Sequence, residues 1–216
     1  MSSDEDATRL AARSLAAGDA TGWFEQLYAE AEAGTAVVPW DSGNATPLLV
    51  GWAQPARPGQ RALVVGAGLG RDAEFMAGLG YATTAFDISD TAVRLTRARY
   101  PQSAVTYLVA DLLDPPPAWQ EGFDLVVESN TVQALPRELR DRATAAVAAL
   151  VAPGGTLLVL AAAASARGDD GPPWPLTRAE VDRFADGGLT GESVEEVPFP
   201  DDRQHLRWRA VFRRPS

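Results

Sequence analysis

No cysteine and no lysine occurs anywhere in the chain, and histidine occurs once, at His205. Without cysteine there are no disulfides, no thiolate metal sites and no cysteine nucleophile. Without lysine there is neither Schiff-base chemistry nor a P-loop lysine. A single histidine speaks against a catalytic triad and against a multi-histidine metal site, so no metal is expected. No apolar run is long enough to span a bilayer. The N-terminus is acidic (Asp4, Glu5, Asp6) and lacks the basic-then-apolar pattern of a secretory signal, so a cytoplasmic location without a membrane partner is expected. Basic residues are few: 19, all arginine, against 29 acidic residues, for a formal net charge of -10. Neutralising phosphates needs a basic face, and nucleic acid is therefore not expected as a partner. The all-arginine set, with many alanines, suggests a GC-rich coding genome.

What is present is enough for a substantial core, since 216 residues with 46% hydrophobic content is ordinary for one soluble domain. Its organising stretch is Arg61 to Asp72, reading R-A-L-V-V-G-A-G-L-G-R-D. A short apolar run breaks into Gly66, Gly68 and Gly70, and a helical pattern follows. Such a strand, glycine turn and helix start bring backbone N–H groups close to a nucleotide-like ligand in an open α/β sheet. Glycine supplies positive φ and leaves no Cβ between backbone and ligand. The dinucleotide fingerprint needs its third glycine where Arg71 stands, which argues against NAD. Two carboxylates follow at the ends of two more apolar runs. Asp87, followed by Ile88, comes about 20 residues after the first glycine, where such a site places an acceptor for ribose hydroxyls. Its plainer reading is a turn or cap aspartate beside Ser89. Asp111, followed by Leu112, ends the run Val105 to Ala110.

The core alternates strand and helix: strand 61–65, helix 70–79, strand 81–86, helix 89–99, strand 104–109 and a fourth strand, 123–127. The fold class expected is α/β, Rossmann-like, with a seven-stranded, mostly parallel sheet, helices on both faces and a C-terminal antiparallel hairpin. Helix 137–151 precedes a tight turn, Ala152 to Gly155, and the fifth strand, Thr156 to Ala161. Helix 177–185 carries a capping box, Thr177 and Glu180. Strands near 190–198 and 206–213 close the sheet. Residues 1–35 read as two helices broken at Gly18–Thr21, with Asp19 or Thr21 as cap. They form a cover for one sheet edge. Residues 38–52 read as a loop carrying Trp40 and Trp52.

The G-x-G-x-G form resembles the glycine loop of class I S-adenosylmethionine methyltransferases. The string W-D-x-G-x-x-T-P (Trp40, Asp41, Gly43, Thr46, Pro47) and the later G-P-P-W (Gly171 to Trp174) are similar to the thiol/halide and thiopurine methyltransferase group. That resemblance covers roughly residues 36–216. It implies S-adenosylmethionine as cofactor, S-adenosylhomocysteine as product and a small-molecule acceptor; a monomer or homodimer is expected. It implies a cofactor site of Trp40, Gly66, Gly68, Gly70, Asp87, Ile88, Asp111, Leu112 and Glu128, with Asp111 near the adenine amino group. Asp41, Trp174 and Arg203 are then expected at the acceptor, and Glu128 and Arg142 in the chemistry. For each a plainer reading stands beside it: Glu128 and Ser129 as a helix cap, Arg142 as a surface arginine. The chain departs from the group at E-S-N-T-V-Q after the fourth strand, where its relatives carry aromatics. The expected organisation is one domain over 1–216, with a helical cover and loop (1–52), a cofactor-binding core (60–162) and a substrate-side loop with closing hairpin (163–216). A natural-product O- or N-methyltransferase and a non-catalytic S-adenosylmethionine- or nucleotide-binding module are the competing functions.

Overall fold

The computed structural model describes residues 3–164, 173–200 and 202–216, and of residues 3, 4 and 202–205 only the backbone. Strand β1 (Arg61–Val65) is buried at four of its five positions, on both faces, which places it mid-sheet. It pairs in parallel with β2 (Ala82–Asp87) on one side and β4 (Phe123–Ser129) on the other. Strand β3 (Thr106–Val109) extends the sheet beyond β2, and β5 (Val151–Ala162) lies beyond β4. Strand β7 (Asp202–Arg213) runs antiparallel between β5 and β6 (Thr190–Phe199). The seven strands stand in the order β3-β2-β1-β4-β5-β7-β6. The chain therefore leaves β1 in one direction and resumes at β4 in the other. That reversal opens a crevice beyond the carboxyl ends of β1 and β4, the place where open α/β sheets bind ligands.

Alternate residues of β1 feed two cores. Ala62 and Val64 pack with Leu49, Met76 and Val93, from α3 (Pro47–Trp52), α4 (Arg71–Gly78) and α5 (Asp90–Arg99). Leu63 and Val65 pack on the opposite face with Val147 of α6 (Arg137–Ala149) and Val181 of α7 (Arg178–Asp182). The two N-terminal helices, α1 (Ser3–Ala16) and α2 (Gly22–Glu32), bury Leu10, Trp23 and Leu27 together with Ala134. They thus lie across the carboxyl ends of the strands rather than along a sheet edge. Asp19 begins α2, accepting from the amides of Thr21 (3.1 Å) and Gly22 (2.8 Å). The Thr177–Glu180 capping box is present at the start of α7.

Three expectations change. Residues 47–52 are helical, not loop, because Pro47 takes the first helical position and Leu48 and Leu49 find a core to enter. Gly154 and Gly155 lie inside β5 as an irregularity, with Val151 opposite Phe123 and Thr156 opposite Leu125. Strand β4 runs two residues further than expected, through Glu128 and Ser129. Among the described residues no helix is long and apolar enough to cross a membrane.

Candidate active site

A cavity of about 420 Å³ opens at the carboxyl ends of β1, β2 and β4. Such volumes, roughly 300–1,000 Å³, are those of small-molecule sites. Its floor is the glycine loop. Gly66 (φ 57°), Gly68 (φ 51°) and Gly70 (φ 82°) all adopt the left-handed conformation. The space above their α-carbons is filled by the protein itself. A Cβ on Gly66 would meet Thr131 Oγ1 at 2.3 Å, one on Gly68 the Tyr28 hydroxyl at 2.8 Å, and one on Gly70 the Thr96 methyl at 2.5 Å. The glycines are needed for backbone conformation and for close packing, not to clear space for a ligand. Gly66 and Gly68 line the cavity; Gly70 does not, being the left-handed residue from which α4 starts.

Asp87 closes β2 against this loop. Its Oδ2 accepts from the Gly68 amide (2.8 Å) and its Oδ1 from the Ser89 amide (3.0 Å). Burial pushes its carboxyl above the usual aspartate range, against the pull of these bonds. It faces the cavity beside Ile88, with Asp111 and Leu112 further along the same wall. Asp111 is exposed and its Oδ1 accepts from the Leu113 amide (2.8 Å). A fixed carboxylate at a strand end can accept hydrogen bonds from vicinal hydroxyls.

The roof comes from α2 and the strap 39–47. Trp40 lines the cavity, meets Trp23, Phe24 and Tyr28 edge-on, and donates from Nε1 to the Tyr28 hydroxyl (2.7 Å). Asp41 also lines it, but its carboxylate is shared by Arg71 (3.1 Å) and Arg99 (3.2 Å), which together hold it below the usual range despite burial. Thr46 donates through its amide (2.7 Å) and hydroxyl (2.9 Å) to Asp72. These bonds tie the strap to the first turn of α4. Beyond β4 and β5 the wall is made by Asn130, Leu160, Ala161, Pro173, Phe199 and Arg207. Arg207 lies 5.2 Å from the Phe199 ring centre and its Nη1 reaches Asn130 Oδ1 at 3.5 Å.

Besides Gly70, three residues expected at the site stand outside the lining. Glu128 is fully buried beneath the wall; its Oε1 accepts from the amides of Thr131 (2.8 Å) and Val132 (2.9 Å), capping the 3-10 turn Val132–Ala134. It is Ser129, Asn130 and Thr131 that line the cavity. Arg142 is exposed and donates to the Leu113 carbonyl (2.7 Å), outside the lining. Trp174 lies outside it too, under Arg140, whose guanidinium carbon is 6.0 Å from the ring centre, while its neighbour Pro173 faces inward. The side chain of Arg203 lies outside the described residues, as do Gly171, Pro172 and the side chain of His205. Tyr28, Arg71, Asp72 and Gln133 line the cavity without having been singled out. In the sequence Tyr28 looks like any core residue of an amphipathic helix; only Asp72, in the first turn of the helix after the glycines, carries a usable signal.

Burial raises the Glu128 carboxyl to about 7, since its Oε2 has no partner and only two backbone amides oppose the shift. An unfolded glutamate titrates near 4.3. Between these values the native state holds a proton that the unfolded chain has released, so stability falls as pH rises from about 4.5 to about 7.5. At about 1.4 kcal/mol per pH unit the loss is on the order of 3 kcal/mol. Glu128→Gln, which copies the protonated form, is expected to flatten this slope in urea unfolding measured at pH 5 and pH 8. An unchanged slope would mean that Glu128 stays ionised.

Against this geometry, a methyltransferase-domain family model matches residues 62–155. Thiocyanate methyltransferase 1 of Brassica oleracea is 30% identical over 169 residues, 76% of this chain and 74% of that protein. The Arabidopsis thaliana thiocyanate methyltransferase 1 is 30% identical over 187 residues, 81% of each chain. A structure solved for the conversion of a disulfide bond into a thioacetal group during echinomycin biosynthesis is 26% identical, with a TM-score of 0.69 over 88% of this chain and 93% of that one. The Burkholderia thailandensis 1,6-didemethyltoxoflavin-N1-methyltransferase, holding its substrate and S-adenosylhomocysteine, shares the fold at 17% identity, with a TM-score of 0.65 over 89% of this chain and 87% of that one. A doubly wound seven-stranded sheet, a glycine loop after β1, an aspartate closing β2 and relatives covering three quarters of the chain agree: it belongs to the class I S-adenosylmethionine-dependent methyltransferases of the thiol methyltransferase type.

Proposed function

We propose that the enzyme transfers the methyl group of S-adenosylmethionine to a small thiol or similarly polarizable nucleophile. S-adenosylmethionine, when bound, supplies a methyl group already activated on a sulfonium. The residues present fit it: Asp87 for the ribose hydroxyls, Asp111 and Leu112 for the adenine, Trp40 and the glycine-loop backbone for the remainder. The protein's own task is then alignment and exclusion of water, and effective molarity from alignment is worth about 7–11 kcal/mol. Trp40 and the strap line the side of the cavity on which water has to be excluded once the cofactor is bound.

The acceptor class rests on one observation: each carboxylate lining the cavity is already committed. Asp41 is paired with two arginines, Asp72 with Thr46, Asp87 with two amides and Asp111 with Leu113. Glu128 is buried behind the wall. A hydroxyl or amine acceptor needs a base to take its proton. A thiol, with a free pKa of about 8.5, reaches the thiolate with little help, and a nearby cation such as Arg207 favours that form. Relatives named for thiocyanate methylation support the same reading.

The test is product identification by mass spectrometry after incubation with thiocyanate, bisulfide, an aromatic thiol, a phenol and an aromatic amine. S-Methyl products are expected, with turnover of the protonatable thiols rising with pH until the thiolate form is complete. Methylation of the phenol or the amine alone would replace this reading by O- or N-methyl transfer.

A further inference from the structure

Just outside the cavity, α2 meets the start of α5. Glu25, on α2, is half-buried and does not line the cavity. Its Oε2 accepts from the Ser89 hydroxyl (2.6 Å) and the Thr91 amide (3.1 Å), and its Oε1 from the Thr91 hydroxyl (2.6 Å). Burial opposes its ionisation, yet the bonds from Ser89 and Thr91 prevail and hold the carboxyl below the usual glutamate range. A carboxylate at this end of α5 also meets the positive end of the helix dipole.

The consequence runs through Ser89. Its single hydroxyl proton goes to Glu25, which leaves the oxygen lone pairs for the Ala92 amide (3.0 Å), the N-cap bond of α5. The amide of the same residue holds Asp87 Oδ1 (3.0 Å), while Gly68 holds Oδ2 (2.8 Å). Glu25 therefore fixes the cap, the cap fixes one oxygen of Asp87, and the glycine loop fixes the other. A side chain 64 residues from Ser89 in sequence is thereby connected, through Ser89, to the carboxylate at the end of β2. Partners that orient metal ligands in this way matter about 10–100-fold, and an orienting partner of a binding carboxylate acts by the same logic.

We infer that Glu25 is a positioning residue for cofactor binding, acting through Ser89 on Asp87, and that it couples the docking of the cover helix to capture of the cofactor ribose. The inference rests on the assignment of Asp87 to the ribose hydroxyls. Glu32 is the comparison, because it forms a bidentate pair with Arg94 (2.7 and 2.6 Å) between the same two helices but makes no bond to the cap, although Arg94 also attracts Glu25.

Isothermal titration with S-adenosylhomocysteine and with its 2′-deoxy analogue tests this on the full-length protein. The wild type is expected to prefer S-adenosylhomocysteine by at least about tenfold. In Glu25→Ala, affinity for S-adenosylhomocysteine should fall about tenfold and the preference should shrink to about threefold. Ser89→Ala should behave alike, and the double variant should be no worse than about twofold beyond either, because the two residues act in series. Glu32→Ala should stay within about twofold of the wild type. Should Glu25→Ala not fold, Glu25→Gln, which keeps one acceptor oxygen, carries the same test at smaller amplitude. Equal weakening of both ligands, with the preference intact, would make Glu25 a docking residue only and overturn the inference. A wild type that does not distinguish the ligands, with Asp87→Ala unchanged, would instead remove the ribose assignment and the inference with it.

Discussion

In Asp87→Ala, S-adenosylhomocysteine is expected to bind about a hundredfold more weakly, in a protein that still folds. On the proposed ribose assignment the variant loses the carboxylate that would accept from the ligand's hydroxyls, and hydrogen bonds to a charged group are worth about 1.5–3 kcal/mol each. It also leaves the amides of Gly68 and Ser89 without their partner at the floor of the cavity. About 1.4 kcal/mol corresponds to a tenfold change, so even partial loss of these terms reaches the stated size. Asparagine should do little better. Both oxygens of Asp87 accept from backbone N–H groups, so one of those amides would face the asparagine NH2, donor against donor. Titration of the purified variants decides it, and affinity within about threefold of the wild type would remove Asp87 from the site. Burial lifts the Asp87 carboxyl above the ordinary range. Cofactor affinity in the wild type should therefore begin to fall at a higher pH, on acidification, than a solvent-exposed aspartate would produce.

The line from glycine loop to strand-end acids was legible because it is local. Gly66, Asp87 and Asp111 each follow an apolar run, and a parallel strand delivers the residue after its last buried position to one known end of the sheet. Trp40 was legible for a related reason: a tryptophan in a proline- and glycine-rich stretch has no regular face on which to hide. The misplaced residues fail for a common cause. Glu128 was expected to face the cavity because it follows the run Phe123–Val127, but β4 continues two residues further, and period-two alternation turns the side chain into the core beside Val126. A one-residue shift in where a strand ends exchanges inside for outside. Arg140 and Arg142 differ in the same way by two positions on α6, enough to carry one to the core and the other to solvent. Glu25 was invisible from the sequence, since its three bonds are to residues more than sixty positions away.

Arg140 is where the second large effect is expected. Only 3% of the residue is exposed, and every arm of its guanidinium is used. Nη1 meets Glu180 Oε1 at 2.6 Å, Nε donates to the Leu135 carbonyl at 3.2 Å, and Nη2 to the carbonyls of Trp174 at 3.1 Å and Gln133 at 3.4 Å. Three elements, α6, the turn after β4 and the chain entering α7, are thereby held on one cation. Removing a single partner from a buried charge network costs about 3–5 kcal/mol. Glu180 keeps partial access to solvent and its capping bonds to Thr177, which favours the low end of that range. Arg140→Ala should therefore lose about 3 kcal/mol, a fall in Tm of roughly 6–12 °C for a chain of this size. Arg142→Ala, an exposed change, should stay within about 0.5 kcal/mol. Thermal and urea unfolding of the two variants side by side checks both numbers. The contrast also separates two assignments of the chemistry. If Arg142→Ala keeps wild-type stability and turnover, Arg142 has no part in the chemistry, and Arg207, which lines the cavity, is the arginine left to test on that wall. If instead Arg142→Ala abolishes turnover in a stable protein, the exposed arginine must swing onto the acceptor during the reaction, and the wall as described would have to open to admit it.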